Sequence, residues 1–337
     1  MLNLSVIGTS GITEKLLSAA RKTGRFKFHT VYSRTAEKGR AFAEKQGFEG
    51  FCTDINALAK DSATNAVYIA SPNSCHFAQS RLFLQNGKHV FCEKPIVTNA
   101  AEYDELLSLA DKGGLIYAEA IMSRHFKGRE KLLEGLSQIG NISVARINFC
   151  QRSSRYDAFM AGGHMNIFDM SLCAGTLMDL GVYCVYAAVD MFGMPKNIKA
   201  CASFFENGAD KSGSAIFEYD GFTAVLTYSK AGQSAVKSEI VGDSGVLKIG
   251  SVSQYGDISL VKGGAETILS GMPTRDEIMG DEAIKFADYI ENREEFYSDY
   301  RTVSALTHNV HTCMDLIKHS ANIKYPRAEQ NEVKKAR

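Results

Sequence analysis

The feature that most constrains this sequence is a regular alternation of short apolar segments with helical segments over residues 1–120. The apolar segments, which indicate buried strands, cover residues 4–7, 28–32, 66–70, 90–92 and 115–118. Helical segments follow the first four at residues 14–22, 36–46, 74–86 and 100–112. Strands that alternate with helices at this spacing predict an α/β fold with an open, doubly wound parallel sheet. Polar residues that follow the strands should then share one edge, where such sheets bind ligands.

Lys94 stands just beyond the strand at residues 90–92, in the motif Glu93-Lys94-Pro95. Proline cannot continue the hydrogen-bond ladder of a strand, and the residue before it is held extended. We therefore expect the Lys94 amine at the ligand-binding edge, where partial burial should lower its pKa and suit it to orient a substrate or exchange a proton. A solvated surface lysine is the alternative.

The stretch Gly8-Thr9-Ser10-Gly11-Ile12-Thr13 joins the first strand to the first helix. A glycine turn of this kind presents backbone amides and a helix amino terminus to a pyrophosphate, and glycine lets the backbone approach closely. The match to G-x-G-x-x-G is incomplete, because Ser10 and Thr13 replace its second and third glycines. The turn indicates a dinucleotide site, with a plain strand-to-helix turn as the alternative.

Ser33 and Arg34 follow the second strand, at the place where NAD-binding proteins carry an acid that grips the ribose. No acid is present there. Serine and arginine suit a 2′-phosphate instead, since a guanidinium pairs with phosphate through two hydrogen bonds. The second turn therefore favours NADP over NAD, with an exposed loop arginine as the alternative.

Ser71-Pro72-Asn73 closes the third strand, and His76 lies in the first turn of the helix that follows. The end of this strand should face the same crevice as Lys94. We therefore expect Ser71, Asn73 and His76 to reach the ligand. For the histidine, a loose cap on its own helix or exposure to water explains the position equally well.

The second half of the chain changes character after a helix at residues 127–136. Strand signals, separated mostly by glycine or Asn-Gly turns, occupy residues 143–149, 200–205, 213–219, 222–230, 236–241 and 245–249. One helix at 176–191 interrupts them, and helices at 281–291 and 302–319 follow. This pattern predicts a large, mostly antiparallel sheet. We predict a dinucleotide-binding domain at 1–122, a substrate domain at 123–325 whose last helices return to the first domain, and a disordered tail at 326–337.

Asp179 and Tyr183 break the otherwise apolar helix at residues 176–191. Residues four apart share one face of a helix, so both side chains can meet the same ligand. An ammonium group beside the tyrosine would favour its ionised form, which suits Tyr183 to move a proton while Lys94 supplies charge and Asp179 holds the lysine or a substrate hydroxyl. A buried structural tyrosine and a surface aspartate are the alternative.

Charge and composition narrow the classes of partner. Lys and Arg number 38, as do Asp and Glu, which gives no net attraction to nucleic acid or to an anionic membrane. The first residues show no leader pattern, and the longest apolar run, at residues 182–189, is too short for a membrane span. The eight cysteines lack Cys-x-x-Cys spacing, and Cys92, Cys184 and Cys201 lie in apolar segments. We expect a cytoplasmic protein without disulfides or a metal site.

Five motifs together resemble the Gfo/Idh/MocA oxidoreductase family, over nearly the whole chain. They are Gly8 to Ile12, Ser71-Pro72-Asn73 with His76, Glu93-Lys94-Pro95, Glu119-Ala120, and the Gly-x-x-x-Asp-x-Gly element at residues 175–181 with Tyr183. The resemblance implies a Rossmann domain, a second α/β domain with an open-faced sheet, a nicotinamide cofactor and sugar, polyol or related alcohol substrates. It also implies that Lys94 is the catalytic lysine, that Asp179 is the active-site aspartate, and that Glu93 and Glu119 lie beside the cofactor.

Tyr183 stands where many inositol-type members carry histidine, and in this it is similar to the dihydrodiol and xylose dehydrogenase branch. That likeness favours NADP and agrees with Arg34. We predict a homodimeric or homotetrameric dehydrogenase of a secondary alcohol, with an NAD(P)-binding sensor or a cofactor-cycling glycosidase as alternatives. Arg152, Arg155 and His164 are further candidates for substrate contact, although solvated loop positions explain them better.

Overall fold

The computed structural model describes residues 1–325, so the tail predicted at 326–337 lies outside the described residues. The first half of the chain forms six strands and five helices in alternation. They are β1 (Leu2–Ile7), α1 (Gly11–Thr23), β2 (Phe26–Tyr32), α2 (Ala36–Gln46), β3 (Gly50–Cys52), α3 (Ile55–Lys60), β4 (Ala66–Ile69), α4 (Asn73–Gln85), β5 (His89–Glu93), α5 (Ala100–Gly113) and β6 (Tyr117–Ala120).

All six strands pair in parallel, in the order β3-β2-β1-β4-β5-β6. The predicted doubly wound parallel sheet is therefore confirmed. The short elements β3 and α3 were not predicted, because three and six residues are too few for a periodic pattern. The last strand begins at Tyr117, two residues later than expected, since Leu115 and Ile116 are buried in the approach to it.

The second half of the chain forms a sheet of eight strands with helices before, within and after it. These elements are α6 (Met122–His125), α7 (Gly128–Leu136), β7 (Ile142–Cys150), α8 (Tyr156–Met160), α9 (Val182–Phe192), β8 (Asn197–Phe204), β9 (Asp210–Glu218), β10 (Thr223–Ser229), β11 (Ser238–Gly242), β12 (Val246–Ser251), β13 (Gly256–Lys262), β14 (Ala265–Ser270), α10 (Arg275–Glu291) and α11 (Arg293–Ser320).

The strand order is β14-β13-β12-β11-β7-β10-β9-β8, and every pair is antiparallel except β7 with β10. The predicted mostly antiparallel sheet is confirmed, but β13 and β14 were missed. Helix α10 begins six residues earlier than expected. Its start carries a capping box in which Thr274 and Glu277 satisfy each other's backbone N–H groups, a signal that the sequence contains and that we overlooked.

One face of the large sheet packs on α9, and within residues 1–325 the opposite face of its central strands is uncovered and carries exposed or partly exposed residues. In β10, the central strand, Ala224, Leu226 and Tyr228 are buried while Val225 and Thr227 lie on the other face. The strand therefore alternates between buried apolar residues on the face against α9 and the more exposed Thr223, Val225 and Thr227 on the other face. Cys201 on β8 is exposed, in contrast to the buried Cys92 and Cys184, because its side chain alternates away from the core.

The two last helices pack against the first sheet's helices. α10 lies on α1, where Arg25 pairs with Asp288 at 2.9 Å. α11 lies on α5, where the Asp315 carboxylate accepts from the amide of Ala100 at 2.9 Å. The elements that follow the second sheet thus build part of the surroundings of the first, and the domain boundary near residue 122 stays a prediction.

The stretch Met170–Phe192 is long and apolar enough, by length and composition, to cross a membrane. It exceeds the run at residues 182–189 considered in the sequence because it includes the turns that lead into α9. Of its most apolar window, 89% is buried inside the protein, as in the core helix of a globular fold.

Candidate active site

A cleft of roughly 500 Å³ lies where the carboxyl ends of the parallel strands meet the second sheet. Its walls come from the turns after β1, β4 and β5 on one side, and from residues 166–183 and the end of β10 on the other. The strand ends supply the polar groups of the cleft. Their backbone groups no longer form hydrogen bonds within the sheet, and their side chains point outward. Of the predicted site residues, the cleft brings together Ser10, Ile12, Ser71, Pro72, Asn73, His76, Glu93, Lys94, Asp179 and Tyr183.

Lys94 and Asp179 form an ion pair at the centre of this cleft. The Lys94 Nζ atom lies 2.8 Å from Oδ1 of Asp179 and 3.0 Å from the main-chain carbonyl oxygen of the same residue. Asp179 lies in a π-helical turn, Leu177–Gly181, at the start of α9. Such turns interrupt the regular i−4 ladder and are frequent at functional sites. The turn thus presents both the carboxylate and the carbonyl of one residue to one ammonium group.

A second lysine completes the centre. Lys230, directly after β10, pairs with the other carboxylate oxygen of Asp179 at 2.9 Å. One carboxylate therefore bridges two ammonium groups, and the second of these lysines was not predicted. The available signal was the same as for Lys94: a charged residue at the end of an apolar strand.

The pKa values follow from burial and this charge arrangement. Burial lowers the pKa of Lys94, but Asp179 and Tyr183 outweigh it and the net pKa is raised, so the expected lowering is wrong. Burial raises the pKa of Asp179, but the two lysines hold it well below its usual range. Burial raises the pKa of Tyr183 to about 12 against the opposing effect of Lys94, so the expected shift towards the ionised form is also wrong. At neutral pH the Tyr183 hydroxyl is therefore protonated.

Two glycines explain the spacing of the Gly-x-x-x-Asp-x-Gly element. A Cβ atom on Gly175 would lie 2.0 Å from the Asp210 carboxylate, and one on Gly181 would lie 3.1 Å from the ring of Tyr228. Side chains at these positions would push the π-helical turn away from β9 and β10. The glycines therefore let the turn approach the sheet closely enough to bring Asp179 to both lysines.

The turn after β1 has the shape of a phosphate cradle. Gly8 has a φ of +105°, and a Cβ atom there would lie 2.5 Å from the carbonyl oxygen of Ala70, so the position requires glycine. Thr9 is partly exposed, and Ser10 and Gly11 are exposed at the amino terminus of α1, where free amides favour an anion. These features fit the pyrophosphate of a dinucleotide.

Ser33 and Arg34 lie at the end of β2, beside β1 in the sheet. The Ser33 side chain is buried and accepts from the amide of Thr35 at 3.4 Å, whereas Arg34 is exposed. The structure thus places a free guanidinium at the edge next to the phosphate cradle, although not among the residues that line the cleft.

His76 lines the cleft as predicted, and its ring is fixed by two backbone groups. It is 1% exposed, and its ring nitrogens lie 2.9 Å from the carbonyl oxygen of Pro95 and 2.8 Å from that of Ser71. The histidine therefore holds together the loops that follow β4 and β5 instead of facing water or capping α4. The Asn73 side-chain amide donates to the carbonyl of Cys173 at 2.9 Å, which joins the first sheet's edge to the second half of the chain.

The two predicted glutamates differ. Glu93 lines the cleft and accepts from the hydroxyl of Tyr68, with its pKa raised by burial. Glu119 is 2% exposed and does not line the cleft, because its carboxylate accepts from the amide of Ile96 at 2.9 Å and from the Tyr186 hydroxyl. The expected cofactor contact of the Glu119 side chain is therefore replaced by a structural role. The carboxylate accepts from a backbone amide that has no partner on a neighbouring strand.

Helix α10 adds three lining residues that the sequence reasoning missed, namely Arg275, Met279 and Glu282. Their spacing of four and three residues puts them on one helix face, but the predicted helix began only at residue 281. Arg152, Arg155 and His164 do not line the cleft. Arg152 pairs with Asp157 and His164 with Asp169, as expected for loop positions. The described residues, 1–325, contain no group of three or more His, Cys, Asp or Glu side chains able to hold a metal ion.

Comparison with known proteins agrees with this geometry. The profile described as an oxidoreductase family with an NAD-binding Rossmann fold matches residues 2–121, and the GFO/IDH/MocA C-terminal domain matches residues 135–248. A scyllo-inositol 2-dehydrogenase (NADP(+)) of Bacillus subtilis is 40% identical over 252 residues, which cover 75% of this chain and 77% of that protein. A trans-1,2-dihydrobenzene-1,2-diol dehydrogenase of Xenopus tropicalis is 29% identical over 70% of each chain.

Solved structures agree on the fold. A 3-ketoreductase from Actinomadura kijaniata, in complex with NADP and TDP-benzene, has a TM-score of 0.82 at 20% identity and covers 95% of this chain and 98% of its own. The predicted fold and the predicted NAD(P)-dependent oxidoreductase are confirmed, and these relatives give no support to a regulatory sensor or a glycosidase. Because both halves of the chain match and the site lies between them, the chain belongs to the Gfo/Idh/MocA family of oxidoreductases.

Proposed function

We propose that this protein is an NADP-dependent dehydrogenase that interconverts a secondary alcohol and a ketone in a polyol, sugar or diol. The observation that carries the proposal is the Lys94–Asp179 ion pair beside Tyr183, at the inner end of a cleft that begins at the phosphate cradle. The names of the relatives, an inositol dehydrogenase and a dihydrodiol dehydrogenase, support the substrate class.

The chemistry divides between the cofactor and the chain. A bound nicotinamide supplies or accepts the hydride. Tyr183, protonated at neutral pH, donates its proton to the carbonyl oxygen during reduction and recovers it during oxidation. The Lys94 ammonium, 4.9 Å from the centre of the tyrosine ring, stabilises negative charge on the tyrosine and on the substrate oxygen. Asp179 keeps that ammonium in place and charged.

The preference for NADP rests on Arg34. Its exposed guanidinium is suited to pair with a 2′-phosphate, and neither Ser33 nor Thr35 offers the carboxylate that would bind a free ribose hydroxyl. A cytoplasmic location and assembly into a homodimer or homotetramer remain parts of this proposal.

The test is an absorbance assay at 340 nm with NADP+ and with NAD+, over inositols, trans-1,2-diols and aldoses. We expect reduction of NADP+ by at least one cyclic polyol or diol, with a higher kcat/KM than for NAD+. A parallel series of nitrophenyl glycosides tests the glycosidase alternative. Cleavage of a glycoside without net cofactor reduction, or tight NADPH binding with no turnover of any alcohol or ketone, would overturn the proposal.

A further inference from the structure

We propose that Lys230 determines substrate specificity by binding the oxygen next to the reacting one, so that the enzyme selects vicinal diols and polyols over simple alcohols. The inference rests on the proposed dehydrogenase function and adds to it a residue that binds the second hydroxyl of the substrate.

Lys230 is an unusual lysine because it is 2% exposed and still lines the cleft. Lysine is almost never fully buried unless it is paired. Its Nζ atom lies 2.9 Å from Oδ2 of Asp179 and donates to the carbonyl of Ile167 at 2.9 Å, with the ring of Phe168 5.4 Å away. The ammonium is therefore fixed in position rather than free to turn towards solvent.

Lys94 and Lys230 together have more N–H donors than the protein around them has acceptors. An ammonium group has three N–H donors and no acceptor. Lys230 uses one on Asp179 and one on Ile167, and Lys94 uses two on Asp179. Within residues 1–325 no acceptor is present for the remaining N–H of either lysine. Two donors at the cleft are thus left for oxygen atoms of a ligand.

The two free N–H donors are held side by side, because both ammonium groups pair with the oxygens of one carboxylate, that of Asp179. Ligand oxygens that accept from both must also be neighbours. A 1,2-diol or an α-hydroxyketone has this arrangement, with the reacting oxygen at Lys94 and Tyr183 and the adjacent oxygen at Lys230. A simple alcohol or ketone can satisfy only the first of the two lysines.

Substrates with and without the second oxygen should differ in how well they are bound. Burial lowers the pKa of Lys230, and Asp179 opposes this shift. A substrate that lacks the second oxygen leaves a buried N–H unpaired, and sites built to bind a substrate hydroxyl reject analogues without it by up to about 10⁴- to 10⁵-fold. Two other contacts already hold Lys230, so we expect a preference nearer to about 10²-fold.

The experiment compares the wild type with Lys230→Met on trans-1,2-cyclohexanediol and on cyclohexanol, which differ by one hydroxyl. In Lys230→Met, the ratio of kcat/KM for the diol to kcat/KM for cyclohexanol should fall about 10²-fold, whatever loss the two substrates share through Asp179. If cyclohexanol is not turned over, its inhibition constant against the diol replaces its kcat/KM and should change by less than kcat/KM for the diol. Lys199→Met, an exposed lysine on the same sheet, is the matched control and should alter neither substrate.

The outcomes separate specificity from structure. An equal loss for diol and alcohol would mean that Lys230 acts only through Asp179, and unchanged rates for both would mean that it contacts no substrate; either result overturns the inference. If Lys230→Met does not fold, Lys230→Gln, which is shorter, should lose the same preference. If the wild type oxidises no alcohol at all, the proposed function fails, and calorimetric binding of the diol and cyclohexanol still tests the role of Lys230.

Discussion

The Lys94 ammonium lies 2.8 Å from the Asp179 carboxylate, and this ion pair joins the edge of the parallel sheet to the helix that packs under the antiparallel sheet. Each partner shifts the pKa of the other against the effect of burial. Without the carboxylate, burial would dominate and lower the pKa of Lys94, and without the lysines it would raise the pKa of Asp179. The charges of this pair are therefore a property of the contact between the two halves of the chain.

Lys94 and Tyr183 should behave as one proton-handling unit. We expect Lys94→Ala and Tyr183→Phe each to lower kcat by about 10²- to 10⁴-fold, because each removes stabilisation of the developing alkoxide or the donated proton. Groups that act together are not additive, so the double variant should be little worse than the poorer single one. Steady-state kinetics with the best substrate, alongside NADPH titration to confirm intact cofactor binding, measures this. Losses that multiply would show that the residues act independently.

Arg34 should set the cofactor preference. Arg34→Ala removes a charge-assisted pair with the 2′-phosphate, which should weaken NADPH binding by about 1.5–3 kcal/mol. NADH lacks that phosphate, so its dissociation constant should stay the same and serves as the matched control. Fluorescence titration of both cofactors against both proteins gives the four constants. Equal NADPH affinities in the two proteins would remove Arg34 from cofactor recognition.

Glu282 should make the stability depend on pH. It is 1% exposed, its Oε1 atom has no hydrogen-bond partner within the described part of the chain, and burial beside Glu93 and Glu119 raises its pKa well above the usual value. Above pH about 4.3 the unfolded chain releases this proton while the folded protein retains it, so folding is increasingly disfavoured as pH rises towards the folded-state pKa.

Glu282→Met should therefore raise the free energy of unfolding, by about 1–3 kcal/mol at pH 8, and by less at pH 4. Urea unfolding of the wild type and the variant at both pH values measures the difference. Glu44→Met, at an exposed surface position, is the control for the substitution itself and should change the free energy of unfolding by less than about 0.5 kcal/mol. A Glu282→Met protein that is less stable than the wild type at pH 8 would contradict this account.

The uncovered face of the large sheet should form the contact in a homo-oligomer. Ile216 on β9 is 42% exposed there, opposite Val225 of β10, in a sheet whose other face is buried. Sedimentation equilibrium at micromolar concentration should show a dimer or tetramer. Ile216→Lys should shift it towards the monomer, whereas Leu316→Lys, at an exposed site on α11, should not. A monomeric wild type would refute this assembly.

The elements that were predicted well are those whose signal is local. Alternation of strands and helices indicated the parallel sheet, and the motif around Lys94 and the spacing of Asp179 and Tyr183 indicated the centre of the site. The start of α10 also had a local signal, the capping box at Thr274, and could have been found. The roles of His76 and Glu119 could not, because each depends on a backbone group that only the fold brings near, the carbonyl of Pro95 or the amide of Ile96.

The sequence by itself determined most of the strand and helix pattern, the glycine turn after β1 and three of the four charged or polar groups at the centre, because each is encoded by neighbours a few residues apart. Only the tertiary structure decided how those groups ionise and what joins them. Lys230 meets Asp179 across 51 positions of the chain, and Lys94 meets it across 85. The number of residues between two positions does not give the distance between them in space. Burial and neighbouring charges shift a pKa according to that distance.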